Sequence, residues 1–110
     1  MSLDYNTAFQ AFQSVQDSKL SILKNSLFKA AIRYAEIRVQ WQFLNKDERA
    51  EINQERTAAH NRFIDCCNIL SKQQSIIYED NGWRNNIGID RKLIGDFACY
   101  LHCFIGIQNK

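Results

Sequence analysis

No proline interrupts the 110 residues of this chain. An average protein carries about 5% proline. Inside a helix each one costs about 3 kcal/mol, so a chain without it is open to long helices. Hydrophobic spacing shows where they run. From Leu20 onward, Leu20, Leu23, Leu27, Ala30, Tyr34, Ile37, Trp41 and Leu44 recur at alternating gaps of three and four, the heptad seam of one long helix. Upstream, Tyr5, Ala8, Phe9, Phe12 and Val15 make a second stripe out of phase with it. Asp17 and Ser18 stand at the phase change and can cap a new helix. The spacing predicts helices over about 4–16 and 18–44, with a break rather than a bend near 16–18.

Asn45-Lys46-Asp47-Glu48 sets a capping residue three positions before a glutamate, a helix-start signature. The stripe that follows, Ile52, Arg56, Ala59, Phe63, Cys66, Leu70, Gln73 and Ile77, predicts a helix over about 46–77. A polar, glycine-bearing loop occupies 79–88. Asp90 then caps a last helix, over about 90–108. No segment sustains the alternation of a strand. The expected fold is all-α: an antiparallel four-helix bundle in a single domain, with a long second helix.

The last helix is apolar on two sides. Leu93, Ile94, Phe97, Tyr100, Leu101, Phe104, Ile105 and Ile107 crowd one broad face. Gly95, Ala98, Cys99, His102, Cys103 and Gly106 take the other. A helix apolar all round is buried all round, so the fourth helix is expected to be central. Its small face lets another backbone approach closely, which accounts for interior glycines that each cost up to about 1 kcal/mol. A bundle of this size has difficulty wrapping one helix completely. A second copy of the chain would supply the missing cover, hence the expectation of a homodimer. A helix simply central within one chain carries equal weight.

Charge and composition select no partner. The net charge is +2 with 24% charged residues, and no block of like charge occurs, so nucleic acid is not implied. Lys24, Lys29, Arg33 and Arg38 scatter around their helix. The N-terminus lacks a basic region followed by an apolar run, so no signal peptide is expected. The longest stretch without charges or amides, Phe97 to Ile107, is far short of the ~20 residues of a membrane span. A cytoplasmic protein with reduced thiols and no membrane partner is the resulting expectation.

Several side chains could carry chemistry. Cys99, His102 and Cys103 share a helical face at i, i+3 and i+4, and His60 and Cys67 stand two turns apart on the third helix. If those helices pack antiparallel, Cys67, Cys99, His102 and Cys103 could meet around zinc. The spacing is no zinc signature, so core packing of small thiols is the stronger reading and no cofactor is predicted. Asn53, Thr57, His60, Asn61, Ile64, Asn68 and Ser71 form a polar face almost free of charge, suited to a hydrogen-bonded contact or an internal network. His60 is also a candidate acid–base residue. Trp83 and Arg84 are residue types enriched at binding hot spots; the plainer reading has Trp83 plugging the bundle and Arg84 pairing with Asp80 or Asp90. Asp96 lies in an otherwise apolar helix and needs a cation such as Arg56 or Arg91. With Asp65, Asp90 and Arg91, these residues complete the candidate binding set. No phosphate loop, nucleophile elbow, zincin motif or di-iron carboxylate pattern is present.

Two stretches, 56–65 (Arg-Thr-Ala-Ala-His-Asn-Arg-Phe-Ile-Asp) and 90–102 (Asp-Arg-Lys-Leu-Ile-Gly-Asp-Phe-Ala-Cys-Tyr-Leu-His), resemble a family of short Gram-positive bacterial proteins of unknown function. The likeness extends over about 46–108 and includes Trp83-Arg84. It implies a bacterial, intracellular helical protein and supplies no catalytic residues. The reading that results is a non-enzymatic protein acting by association with itself and with an unidentified protein partner. The alternative is a ligand- or metal-binding site, with catalysis left open, between the third and fourth helices around His60, Asn61, Asp96 and His102.

Overall fold

The computed structural model describes residues 20–77, 83–88 and 90–108, and among them every regular element is a helix. The elements are α1 (Ser21–Trp41), α2 (Lys46–Ile77), α3 (Trp83–Ile87) and α4 (Arg91–Gln108). The expected helix over 4–16, its break at Asp17 and Ser18, and the side chains of Phe104, Ile105 and Ile107 lie outside the described residues.

Local chemistry explains the boundaries. The last turn of α1 tightens into i to i+3 bonds, with the Phe43 N–H donating to the Gln40 carbonyl at 3.0 Å and the Leu44 N–H to that of Trp41 at 3.3 Å. Arg49 reaches back from α2 and donates from Nε to the Trp41 carbonyl at 3.0 Å. The guanidinium groups of Arg49 and Arg56 also lie over the Trp41 ring, 5.4 and 4.3 Å from its centre, a cation–π clamp on the hairpin. The predicted capping box is formed: the Glu48 N–H donates to Asn45 Oδ1 at 2.9 Å, and the Asn45 N–H to Glu48 Oε1 at 3.0 Å. Asp90 Oδ1 likewise accepts from the N–H groups of Lys92 and Leu93, at 2.8 and 3.1 Å.

α1 and α2 run antiparallel: Ser26 meets Cys66, Arg33 meets Glu55, and Trp41 meets Arg49. The predicted seam of α1 is the core, with Leu20, Leu27, Ala30, Tyr34 and Ile37 all buried. Two expectations are corrected. Among the described residues the central helix is α1, not the last one: α2 and α4 pack chiefly on α1 and meet each other only lightly. Ala30, Ala31 and Ala35, all buried, let neighbouring helices approach α1 closely. On α4, Ile94, Phe97, Ala98 and Leu101 are buried, but Lys92, Tyr100, His102 and Cys103 are exposed within the chain. The second correction is the loop after α2. Residues 83–87 form one helical turn, which Gly88 closes at φ 67° with its N–H on the Arg84 carbonyl. A left-handed residue after a helix is the position glycine fills without steric cost.

Candidate functional site

The most organised polar cluster joins α1 to α4. The Arg38 guanidinium donates to Asp96 Oδ1 at 2.8 Å, and Lys92 Nζ, one turn upstream, donates to Oδ2 at 2.9 Å. The Arg38 and Asp96 side chains keep only 28% and 22% of their exposure. Burial alone would raise the Asp96 pKa, but bonding to the Lys92 ammonium and the Arg38 guanidinium outweighs it and holds the carboxyl below its ordinary value. Gly95 makes the crossing fit. A Cβ there would stand 2.8 Å from the Arg38 guanidinium carbon, so the missing side chain is the space through which Arg38 reaches Asp96. Neither Arg56 nor Arg91, the cations expected for Asp96, bonds to it. Arg56 lies over Trp41 instead.

Two cavities open beside this clasp. One, of about 450 Å³, is lined by Arg38, Gln42, Lys92, Asp96 and Tyr100. The other, about 390 Å³ and mostly apolar, lies between Ala35, Glu36, Val39 and Gln40 of α1 and Cys99, His102 and Cys103 of α4. Val39, Cys99 and Cys103 form the wall between them. The Arg38 guanidinium also approaches the Cys99 sulfur at 3.8 Å.

Among the described residues no three His, Cys, Asp or Glu side chains gather where a metal could be held. Cys67 is buried in the core of α2, where burial pushes its thiol pKa up. Cys99 is half-buried on α4, and His102 and Cys103 are exposed. The convergence required for zinc is therefore not formed, because α2 and α4 face α1 rather than one another.

His60 is buried, with 8% exposure, edge-on to Tyr34 at 5.3 Å between ring centres. Its Nδ1 lies 3.4 Å from Asn61 Oδ1, while Nε2 is buried without a hydrogen-bond partner among the described residues. Burial holds its pKa below the ordinary value. His102, on the apolar cavity beside α1, belongs to a different neighbourhood. The polar face of α2 is largely at the surface, with Asn53, Thr57, Asn61 and Asn68 exposed. Asn61 and Asp65 line a third cavity, about 460 Å³, with Leu23, Ser26 and Ile69.

Trp83 is not available as a binding hot spot. It is fully buried, stacks on Phe97 at 6.0 Å, and donates its indole N–H to the buried Gln74 Oε1 at 3.1 Å. Arg84 donates to Asn68 Oδ1 at 2.7 Å and to the Gly88 carbonyl at 2.8 Å. It thereby pins α3 to α2; the expected partner Asp90 is not bonded to it, and Asp80 lies outside the described residues. Asp90 serves as a cap, and Arg91 is exposed.

Sequence reasoning passed over Arg38, Lys92 and Gln74. The i, i+4 spacing of Lys92 and Asp96 was a readable signal; Arg38 and Gln74 carried none. Phe43 and Val39 also went unmarked, although they are strongly exposed apolar side chains, at 82% and 54%. Among the described residues no helix is long and apolar enough to cross a membrane. No protein-family model, curated protein or solved structure matches this chain.

Proposed function

We propose that this protein is a non-enzymatic helical module that works by association, with itself and with a protein partner, through the outward face shared by α1 and α4. The observation that carries the reading is the exposure of Val39 and Phe43 at 54% and 82% beside the apolar cavity between those helices. Contiguous apolar surface next to a concavity is characteristic of interaction sites. The Arg38–Asp96–Lys92 clasp ties together α1 and α4, the two helices that wall that cavity. The reading includes an antiparallel four-helix bundle with residues 4–16 as its first helix. It also keeps kinship with the short bacterial proteins that residues 46–108 resemble.

Size-exclusion chromatography with light scattering tests it. The expected result is a mass that rises above the 12.9 kDa of one chain as concentration increases through the micromolar range. A constant single-chain mass would refute self-association.

A second reading rests on His60, whose Nε2 is buried without a partner among the described residues. A small ligand carrying a hydrogen-bond donor, or a soft cation, would satisfy that nitrogen. Histidine NMR shifts followed during titration with zinc alone and with a small-molecule fragment set decide it. Perturbation of His60 by either supports a ligand site, and an unmoved His60 signal argues against it.

A further inference from the structure

We propose that Cys99 and Cys103 form a binding site for a soft monovalent metal ion, Cu(I), held between their two sulfurs as a bis-thiolate. The inference goes beyond the association proposed above and does not depend on it.

Thiolates are soft ligands that select Cu(I), zinc and iron–sulfur clusters. All four cysteines are free, but they are not equally placed. Cys67 is buried in the core, while its neighbour Cys66 turns to the Ser26 carbonyl, so that adjacent pair is split between two sides of α2. Cys99 and Cys103 lie one turn apart on α4, and both border the same two cavities. Cys99 is half-buried and Cys103 exposed, which gives an ion a path from solvent and a partly sheltered seat.

Spacing limits what this pair can do. Side chains four residues apart on a helix have Cβ atoms about 5–6 Å apart. A disulfide needs about 3.8 Å, so a regular helix keeps the two thiols from joining. Metal–thiolate bonds are about 2.3 Å long in zinc sites, and two of them end to end bridge sulfurs that lean toward each other across that gap.

Coordination number and charge select the ion. Among the described residues no three His, Cys, Asp or Glu side chains gather where a metal could be held. Structural zinc takes four ligands and iron–sulfur clusters take four cysteines; Cu(I), the remaining thiolate-seeking ion, is held by two. Each thiol gives its proton to solvent as its sulfur–copper bond forms, and the copper stays Cu(I). The resulting bis-thiolate carries one net negative charge. One of the cavities that both sulfurs border also holds Arg38, Lys92 and Asp96, which together carry one net positive charge. The Arg38 guanidinium is directed at the Cys99 sulfur from 3.8 Å. A divalent ion would make a neutral pair and leave that positive charge unanswered. The other cavity is mostly apolar and limits the access of water to the metal–sulfur bonds.

Anaerobic titration of Cu(I) against the chromophoric chelator bicinchoninate tests this with wild type, Cys99→Ser, Cys103→Ser, Cys66→Ser and Arg38→Met. Circular dichroism verifies folding, and Cys103→Ser, at an exposed position, keeps the test decisive if Cys99→Ser unfolds. The expected result is one Cu(I) per chain, on single chains in native mass spectrometry, with two sulfur neighbours in the X-ray absorption spectrum. Cys99→Ser and Cys103→Ser should each weaken binding by more than about a hundredfold, Arg38→Met by about tenfold, and Cys66→Ser by less than about threefold. A wild type that leaves the copper with the chelator overturns the site, as does a loss in Cys66→Ser equal to that in Cys103→Ser. Copper found only in bridged dimers overturns the pairing within one chain. Wild-type affinity in Arg38→Met, or zinc held as tightly by the same two thiols, overturns the charge and coordination argument for Cu(I).

Discussion

Asp96 and Arg38 share one 2.8 Å bond, yet losing the carboxylate should cost more than losing the guanidinium. In Arg38→Met, Asp96 keeps Lys92 at 2.9 Å and the new side chain still fills the space beside Gly95, so about 1 kcal/mol is lost, the upper end for an ion pair that solvent still reaches. In Asp96→Asn, the Arg38 side chain stays about three-quarters buried with no counter-charge. Stranding a fully buried charge costs about 3–5 kcal/mol; with 28% of the guanidinium side chain exposed, about 2 kcal/mol is expected. Lys92, 78% exposed, contributes only a few tenths of this. Urea unfolding followed by circular dichroism at pH 7 measures each variant and the double mutant. The double should be less destabilised than the sum of the singles, with a coupling of about 1–2 kcal/mol. A coupling below about 0.3 kcal/mol, or an Arg38→Met cost equal to that of Asp96→Asn, would refute the claim that Arg38 depends on this one carboxylate.

Three further outcomes are expected. Trp83→Phe keeps a ring against Phe97 but removes the indole N–H from buried Gln74, so it should lower stability by about 1–3 kcal/mol; an unchanged urea midpoint would contradict that bond. His60 titrates below the ordinary histidine value of about 6.5 because burial disfavours its charge. The unfolded chain therefore binds the proton more readily, and the contribution is complete above about pH 6.5 and lost as pH falls toward the lowered value. Tm measured from pH 7.5 to 5 should fall in wild type and fall less in His60→Gln; equal slopes would assign the effect elsewhere. Asn45→Ala removes the side-chain half of the capping box and should cost about 1 kcal/mol, read as a Tm drop of roughly 4 °C.

Helix existence and helix starts were legible because they are local. Asn45 and Glu48 are three residues apart, and Asp90 is adjacent to the N–H groups it caps, so no other element is needed to predict those bonds. The seam from Leu20 to Leu44 was legible because heptad spacing is itself the signal. The short helix at 83–87 was not. Its stability comes from Trp83 under Phe97 and Arg84 on Asn68, contacts with distant parts of the chain, while its own composition reads as a loop.

The candidate site divides along the same line. The sequence by itself determined an all-α fold, the caps at Asn45 and Asp90, the thiol and imidazole residues on α4, and an Asp96 that needs a cation. Only the tertiary structure decided which helix is central, that Arg38 and Lys92 answer Asp96, and that His60 and His102 occupy separate surroundings. The physical reason is that periodicity shows which face of a helix is apolar and cannot say which helix covers it. The close approach that buried Ala31 and Ala35 allow made α1 the shared partner, and that one pairing left Val39, Phe43 and the cavity between α1 and α4 facing outward.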